Sequence, residues 1–254
     1  MLGLIIAGIL QGVLEWLPVS SQGIISLFLA NIGYTLEQAV DISLFLHVGT
    51  LIATIHYFWK DIKKIVVPKS RKNVNILLFI LWSSFISLLI GGPLYLSIPF
   101  LSGLLSEKIG LLIGSFLIIT GIIQLFRKSF SSRSYADVKR SDGIINGAAQ
   151  GFSALPGISR SGSTTLALLV QGFSIDSALK LSFFSSIPII FLVQLYSGVK
   201  NGFFLDAGYL LAAFTAFVVG RLSIDYFLKI AKKFNFALFC IIFGLLNVAI
   251  TIFL

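Results

Sequence analysis

One interrupted apolar pattern occurs twice in the chain, and this repeat constrains the fold more than any other feature. Residues 11–23 read QGVLEWLPVSSQG, and residues 150–162, at a spacing of 139, read QGFSALPGISRSG. In both copies a short apolar segment is broken by Leu-Pro and then by serines and glycine. Such breaks at matching places in two halves predict a site near the middle of a membrane protein. The copies carry Glu15 and Arg160, so we expect that site to handle charge.

The composition indicates that lipid is the main solvent of this chain. Of its 254 residues, 57% are hydrophobic and 11% charged, whereas soluble domains average about 25% charged residues. The net charge of +9 resides in a few short loops between apolar runs, so we expect a bilayer and no nucleic acid as partner. The single cysteine, Cys240, excludes an internal disulfide and a cysteine-ligated metal site. The sequence predicts one membrane domain over residues 1–254.

Apolar run lengths predict an all-α integral membrane protein with six transmembrane helices and two re-entrant helical hairpins. Regions 2–33 and 141–173 each hold two segments that are too short to span comfortably and that flank the shared motif. Irregular backbone at membrane depth is tolerated where it faces protein or a water-filled cavity, which favours hairpins there. The runs long enough to cross about 30 Å of hydrocarbon are 42–59, 74–98, 109–127, 179–198, 207–228 and 235–254.

The distribution of lysine and arginine predicts the orientation in the plasma membrane. Loops 60–73, 127–140 and 229–234 carry six, five and three basic residues, whereas the intervening loops carry one each. The positive-inside bias places these three loops in the cytoplasm and both termini outside. Repeat one (1–127) and repeat two (141–254) each then contain three crossings, so the second copy is inverted. We expect the hairpin tips to meet near the midplane, bringing Glu15 towards Arg160 below a cavity that opens to the outer face.

Arg160 is the most informative single residue. A guanidinium on a re-entrant segment costs several kcal/mol unless it is paired or hydrated, and its planar fork suits phosphate or carboxylate. It lies among hydroxyl residues at a predicted helix start, where backbone N–H groups favour an anion. The sequence therefore favours anion binding. A purely structural salt bridge to Glu15 is the alternative.

The first copy holds the candidate acid–base residues. Gln11 and Glu15 lie on one side of a helix because they are four residues apart. A buried carboxylate beside a phosphate would act as general base or hold a divalent cation. Ser20 and Ser21 follow the proline, and either would cap a helix or act as a nucleophile with Glu15 as its base. Ser21 is our choice of nucleophile.

Two signatures in the chain resemble those of the undecaprenyl-diphosphatase family, also called bacitracin-resistance proteins. Gln11-x-x-x-Glu15 followed by Pro18-Val-Ser-Ser21 is similar to the family's (E/Q)xxxE and PxSS motifs. Pro156-Gly-Ile-Ser-Arg-Ser161 with Thr165 is similar to PGxSRSxxT. The resemblance covers nearly the whole chain. It implies a membrane phosphatase that removes the terminal phosphate of a polyprenyl diphosphate and so regenerates the lipid carrier for cell-envelope glycans.

The resemblance also implies roles for individual residues. Glu15 would be the essential carboxylate and a ligand of a divalent cation, Mg²⁺ or Ca²⁺. Ser21 would be the nucleophile and Arg160 the phosphate clamp. One departure concerns Ile24, where family members often have histidine; His47 is the candidate to replace it. The substrate-binding positions would be Gln11, Ser20, Ser159, Ser161 and Thr165.

A second class of function fits the same scaffold. Inverted repeats with broken helices at the midplane are also a transporter architecture, so a secondary transporter or lipid flippase for an anionic substrate is the alternative. Phosphate release in detergent separates the two classes, since only an enzyme turns over without a second compartment. The sequence leaves open the prenyl chain length, the identity of the cation and whether the chain forms a homodimer.

Overall fold

The computed structural model describes residues 1–17, 20–105, 111, 114–115, 118–119, 121–122, 125, 133–155, 158–201, 206–233 and 236–253. Across these residues the secondary structure is helical, without strands apart from an isolated bridge between Arg133 and Phe173, so the all-α class is confirmed. A 3-10 turn covers Tyr135–Asp137. The α-helices are α1 Leu2–Leu14, α2 Ser21–Asn31, α3 Leu36–Tyr57, α4 Trp59–Val66, α5 Arg71–Leu105, α6 Arg140–Phe152, α7 Arg160–Val170, α8 Ile175–Asn201, α9 Ala207–Lys233 and α10 Phe236–Phe253.

Within the part of the chain that the structure describes, four helices are long and apolar enough to cross a membrane, and they coincide with four predicted spans. The predicted span 109–127 lies largely outside the described residues, and 235–254 corresponds to α10, which has 18 residues. The total of six crossings stays a prediction. The four stretches are Glu37–Tyr57, Arg71–Ser97, Ile175–Val199 and Ala207–Lys229.

The two motif regions form the same local structure. Helices α1 and α6 have 13 residues each, and α2 and α7 have 11 each. A helix of 13 residues is about 20 Å long, shorter than the hydrocarbon core. Each second helix is followed by a glycine with positive φ, Gly33 at 102° and Gly172 at 97°, a conformation that glycine adopts without steric cost. The sequence repeat is thus a repeat of local structure, and its inverted orientation stays a prediction.

The described chain divides into two compact units, and each unit combines residues from both halves of the sequence. The first unit is Met1–Val67 with Ser186–Leu228, and the second is Pro68–Ser185 with Lys229–Leu254. The single domain over 1–254 and the repeat boundaries 1–127 and 141–254 stay predictions. The core of the first unit is formed by Leu4, Ala7, Ile25, Leu29, Ala39, Ile42, Leu46, Ala212 and Ala213.

Glycines let the short helices approach a long helix closely within each unit. In the first unit, a Cβ added to Gly12 of α1 would lie 2.7 Å from the Gly220 backbone nitrogen of α9. In the second unit, a Cβ added to Gly147 of α6 would lie 2.5 Å from the Ser83 carbonyl oxygen of α5. Only glycine permits these backbone-to-backbone contacts, and small residues at helix interfaces are typical of membrane proteins.

We expect Gly49→Ala to destabilise the first unit. A Cβ at Gly49 of α3 would overlap the Ala213 carbonyl oxygen of α9 and lie 2.8 Å from the Phe217 nitrogen. Overpacking of this kind costs about 1–3 kcal/mol, so the melting temperature in detergent should fall. Gly92→Ala is the matched control, because nothing lies within 4 Å of a Cβ there. Equal melting temperatures for the two variants would contradict the close α3–α9 contact.

Candidate active site

Glu15 is the centre of a buried polar cluster in the first unit. It caps the C-terminus of α1, and Gln11, one turn earlier, donates from Nε2 to Glu15 Oε2 at 2.9 Å. Ser21, the first residue of α2, donates from Oγ to the same oxygen at 3.0 Å. All three residues are buried, with Glu15 5% exposed. The predicted shared face of Gln11 and Glu15 is confirmed, and the break between α1 and α2 brings the serine to the carboxylate.

Helix α3 adds two further residues to this cluster. Thr50 Oγ1 accepts from Gln11 Nε2 at 3.3 Å and donates to the His47 carbonyl oxygen. His47 Nε2 lies 3.4 Å from Glu15 Oε2, and its Nδ1 lies 2.9 Å from the Ser43 carbonyl oxygen. His47 thus contacts Glu15, and its role in place of the histidine that is absent at position 24 stays a prediction. Thr50 was not predicted.

A polar face on α3 was the sequence signal for these two residues. Ser43, His47, Thr50 and Thr54 recur at spacings of four, three and four residues, which places them on one side of a helix. Ser43, Thr50 and Thr54 are buried. The two histidines alone do not indicate this face, because His56 lies on a different side of α3 and accepts a hydrogen bond from Arg221.

The two serines after the first break have different roles. Ser20 is the N-cap of α2, and its Oγ accepts from the Gly23 backbone nitrogen at 3.3 Å. The capping interpretation is thus confirmed for Ser20. Ser21 instead directs its hydroxyl to Glu15, and its role as the nucleophile stays a prediction.

The second motif builds a capped helix start in the second unit. Ser159 Oγ accepts from the Gly162 nitrogen at 3.2 Å, the same cap as that of Ser20, and lies 3.3 Å from Ser161 Oγ. Arg160 is the first residue of α7 and is half-buried. Thr165 Oγ1 is buried without a hydrogen-bond partner among the described residues. Hydroxyl groups at the positive end of a helix suit an anion.

Arg133, which the sequence analysis did not single out, links the start of α6 to the end of α7. Arg133 Nη2 lies 2.7 Å from Asp142 Oδ2 at the start of α6, and Nη1 donates to the Gln171 carbonyl oxygen after α7 at 2.9 Å. Its guanidinium also lies over the Phe173 ring, 4.1 Å from the centroid. Arg133 therefore joins the two ends of the pair. Glu15 and Arg160 belong to different units, so their convergence and their salt bridge stay predictions.

Comparison with known proteins decides the family. The model of the family described as bacitracin resistance protein BacA matches residues 4–247. The chain belongs to this family. It is 41% identical to an undecaprenyl-diphosphatase of Methanococcoides burtonii, covering 98% of this chain and 97% of the relative. Proteins of the same name from Saccharolobus solfataricus and Methanothrix thermoacetophila are 36% and 32% identical, covering 96% and 97% of this chain and 93% and 95% of the relatives. With its apolar helices, this BacA-family chain is a multi-pass membrane protein.

Two residues of this cluster in the BacA-family chain carry oxygen atoms of the kind that bind a divalent cation. Among the described residues, no group of three or more His, Cys, Asp or Glu side chains could hold a metal ion alone. Gln11 Oε1, however, is buried beside Glu15 without a hydrogen-bond partner within the described chain. Mg²⁺ is commonly bound by one or two carboxylates together with substrate phosphates. Glu15 and Gln11 Oε1 supply oxygen donors of that kind.

Proposed function

We propose that this chain is an integral membrane phosphatase that hydrolyses undecaprenyl diphosphate to the monophosphate and inorganic phosphate. Membership of the BacA family and relatives named undecaprenyl-diphosphatase support the substrate. The observation that carries the proposal is the buried hydrogen bond, 3.0 Å long, from the Ser21 hydroxyl to the Glu15 carboxylate. A serine paired with a base is the arrangement of an activated nucleophile. The reaction would recycle the lipid carrier for cell-envelope glycan synthesis.

In the proposed mechanism Ser21 attacks the terminal phosphorus. Its Oγ–H proton passes to Glu15 as the P–Oγ bond forms, and the bond from that phosphorus to the bridging oxygen breaks. Undecaprenyl monophosphate leaves with that oxygen. Glu15 gives its proton to the departing monophosphate and then takes a proton from water, whose oxygen attacks the phosphorus of the phosphorylated Ser21. The P–Oγ bond breaks, Ser21 Oγ recovers a proton from Glu15, and inorganic phosphate is released. Direct attack by water, with Glu15 as its base, is the alternative route to the same products.

The second motif is proposed to hold the phosphate. Arg160 would neutralise charge that develops on the transferred phosphoryl group, and the hydroxyl-rich start of α7 would supply further donors. A divalent cation held by Glu15 and Gln11 Oε1 would neutralise charge on the diphosphate when bound. The other proposed substrate-binding residues are Ser20, whose Oγ caps α2, Ser159, Ser161 and Thr165.

The proposed membrane arrangement keeps the predicted topology. Helices α1–α2 and α6–α7 would be re-entrant hairpins, because each helix is shorter than the hydrocarbon core. Six crossings, an inverted repeat, both termini outside and a site open to the outer face complete the proposal. The basic loops support this orientation. The prenyl tail would lie among the apolar side chains that face lipid.

We expect the purified protein in detergent to release inorganic phosphate from undecaprenyl diphosphate. Detergent removes the second compartment, so a transporter or flippase would release none. The measurement is the initial rate of phosphate release with and without Mg²⁺ or Ca²⁺, and a chelator should lower the rate if a cation binds with the substrate. Undecaprenyl monophosphate is the matched substrate control, since it lacks the phosphoanhydride bond that the proposed reaction breaks. Binding of undecaprenyl diphosphate without release of inorganic phosphate under any of these conditions would contradict the proposed phosphatase activity.

A further inference from the structure

His47 is fixed in place by its own helix. A backbone carbonyl oxygen only accepts hydrogen bonds, so the Nδ1 atom, 2.9 Å from the Ser43 carbonyl oxygen, carries a hydrogen. This bond orients the imidazole ring and directs Nε2 to Glu15 Oε2 at 3.4 Å. The side chain of His47 is 15% exposed and that of Glu15 is 6% exposed. The contact therefore lies in a largely buried environment, where interactions between polar groups are stronger than in bulk water.

Three side chains from three helices converge on one carboxylate oxygen. Gln11 of α1, Ser21 of α2 and His47 of α3 all contact Glu15 Oε2. The Nε2–Oε2 distance of 3.4 Å is a close polar contact between the His47 ring on α3 and the buried Glu15 carboxyl group. Gln11 holds the carboxylate from α1, and His47 adds a contact from α3 on the oxygen that accepts from Ser21.

We propose that His47 is a positioning residue that keeps the Glu15 carboxylate aimed at the Ser21 hydroxyl. This inference rests on the proposed function and deepens it. His47 acts through Glu15 and need not touch the substrate. A misplacement of a catalytic group by about 1 Å costs about 100-fold in rate, so loss of this contact should lower kcat more than it raises KM.

The test compares His47→Leu with His47→Gln by steady-state phosphate release from undecaprenyl diphosphate. Leucine removes the contact, and we expect kcat to fall about 10- to 100-fold with KM changed much less. Glutamine offers an amide N–H to Glu15 and should retain most of the activity. His56→Leu is the matched control, because His56 lies on the same helix and contacts Arg221 instead; its kcat should stay near that of wild type.

Several outcomes would overturn the inference while leaving the phosphatase in place. These are an unchanged kcat in His47→Leu, an equal loss in His47→Leu and His47→Gln, or an effect on KM alone. A fall in melting temperature of His47→Leu that matches its loss of activity would assign the residue to folding and likewise overturn the inference. Absence of phosphate release by the wild-type protein would instead overturn the proposed function itself.

Discussion

Replacement of Glu15 by glutamine should lower kcat for phosphate release by about 100- to 10,000-fold, the usual contribution of a general base. Glutamine keeps the size of the side chain, and its amide oxygen can still accept from Ser21. It cannot take the proton that the Ser21 hydroxyl must lose. We therefore expect the melting temperature to change little, and the two quantities to be measured are kcat with undecaprenyl diphosphate and thermal unfolding in the same detergent.

Glu37→Gln is the matched control, because Glu37 is exposed in the first turn of α3. Its kcat should equal that of wild type. A Glu15→Gln variant that retains full turnover would remove the carboxylate from the mechanism. A loss shared by both variants would point to a general effect of charge on the protein.

Glu15 and Ser21 should behave as one unit. Residues that act together in a single step show strongly non-additive losses, so the double variant Glu15→Gln, Ser21→Ala should be no slower than Ser21→Ala alone. Losses that multiply would instead show that the two residues act independently.

A covalent intermediate on Ser21 can be trapped. Acid quenching of turnover with substrate labelled in its terminal phosphate should leave label on the wild-type protein and none on Ser21→Ala. Unlabelled wild-type protein would favour direct attack by water.

Local sequence signals predicted most of the structure around the two motifs. In both motifs the apolar segment ends a helix, and the serines begin a second, capped helix. Ser20 and Ser159 both accept from the nitrogen of the glycine three residues later. The capping box of Thr35 and Gln38 is likewise present at the start of α3. These features were predictable because they depend on neighbours within one helical turn.

Tertiary partners were not predictable in the same way. Thr50 joins Gln11 across 39 positions of sequence, and no local pattern states which helix α1 faces. The contact between α1 and α9, where Gly12 approaches Gly220, joins residues that are more than 200 positions apart in the sequence. In lipid, apolar side chains do not distinguish a neighbouring helix from acyl chains, so hydropathy cannot select the partner. Small residues and the polar face of α3 were the available signals.

The second large effect is expected at Arg160. Arg160→Ala should lower kcat by about 100- to 1000-fold, the loss that follows removal of one donor to developing negative charge. Arg160→Lys should recover part of that loss, because lysine restores the charge without the planar fork that binds two phosphate oxygens. Added guanidinium ion should restore part of the turnover of Arg160→Ala. The measurement is phosphate release as a function of guanidinium concentration.

Arg140→Ala is the matched control for this experiment, since Arg140 is the first residue of α6 as Arg160 is of α7, but is exposed. Its turnover should match wild type and should not respond to guanidinium. A phosphate clamp and a structural salt bridge to Glu15 differ in two measurements. If Arg160 is a phosphate clamp, Arg160→Ala should lower kcat at an unchanged melting temperature, and guanidinium should restore part of the turnover. If Arg160 is purely structural, Arg160→Ala should lower the melting temperature and the activity together. Full activity in Arg160→Ala would exclude the clamp.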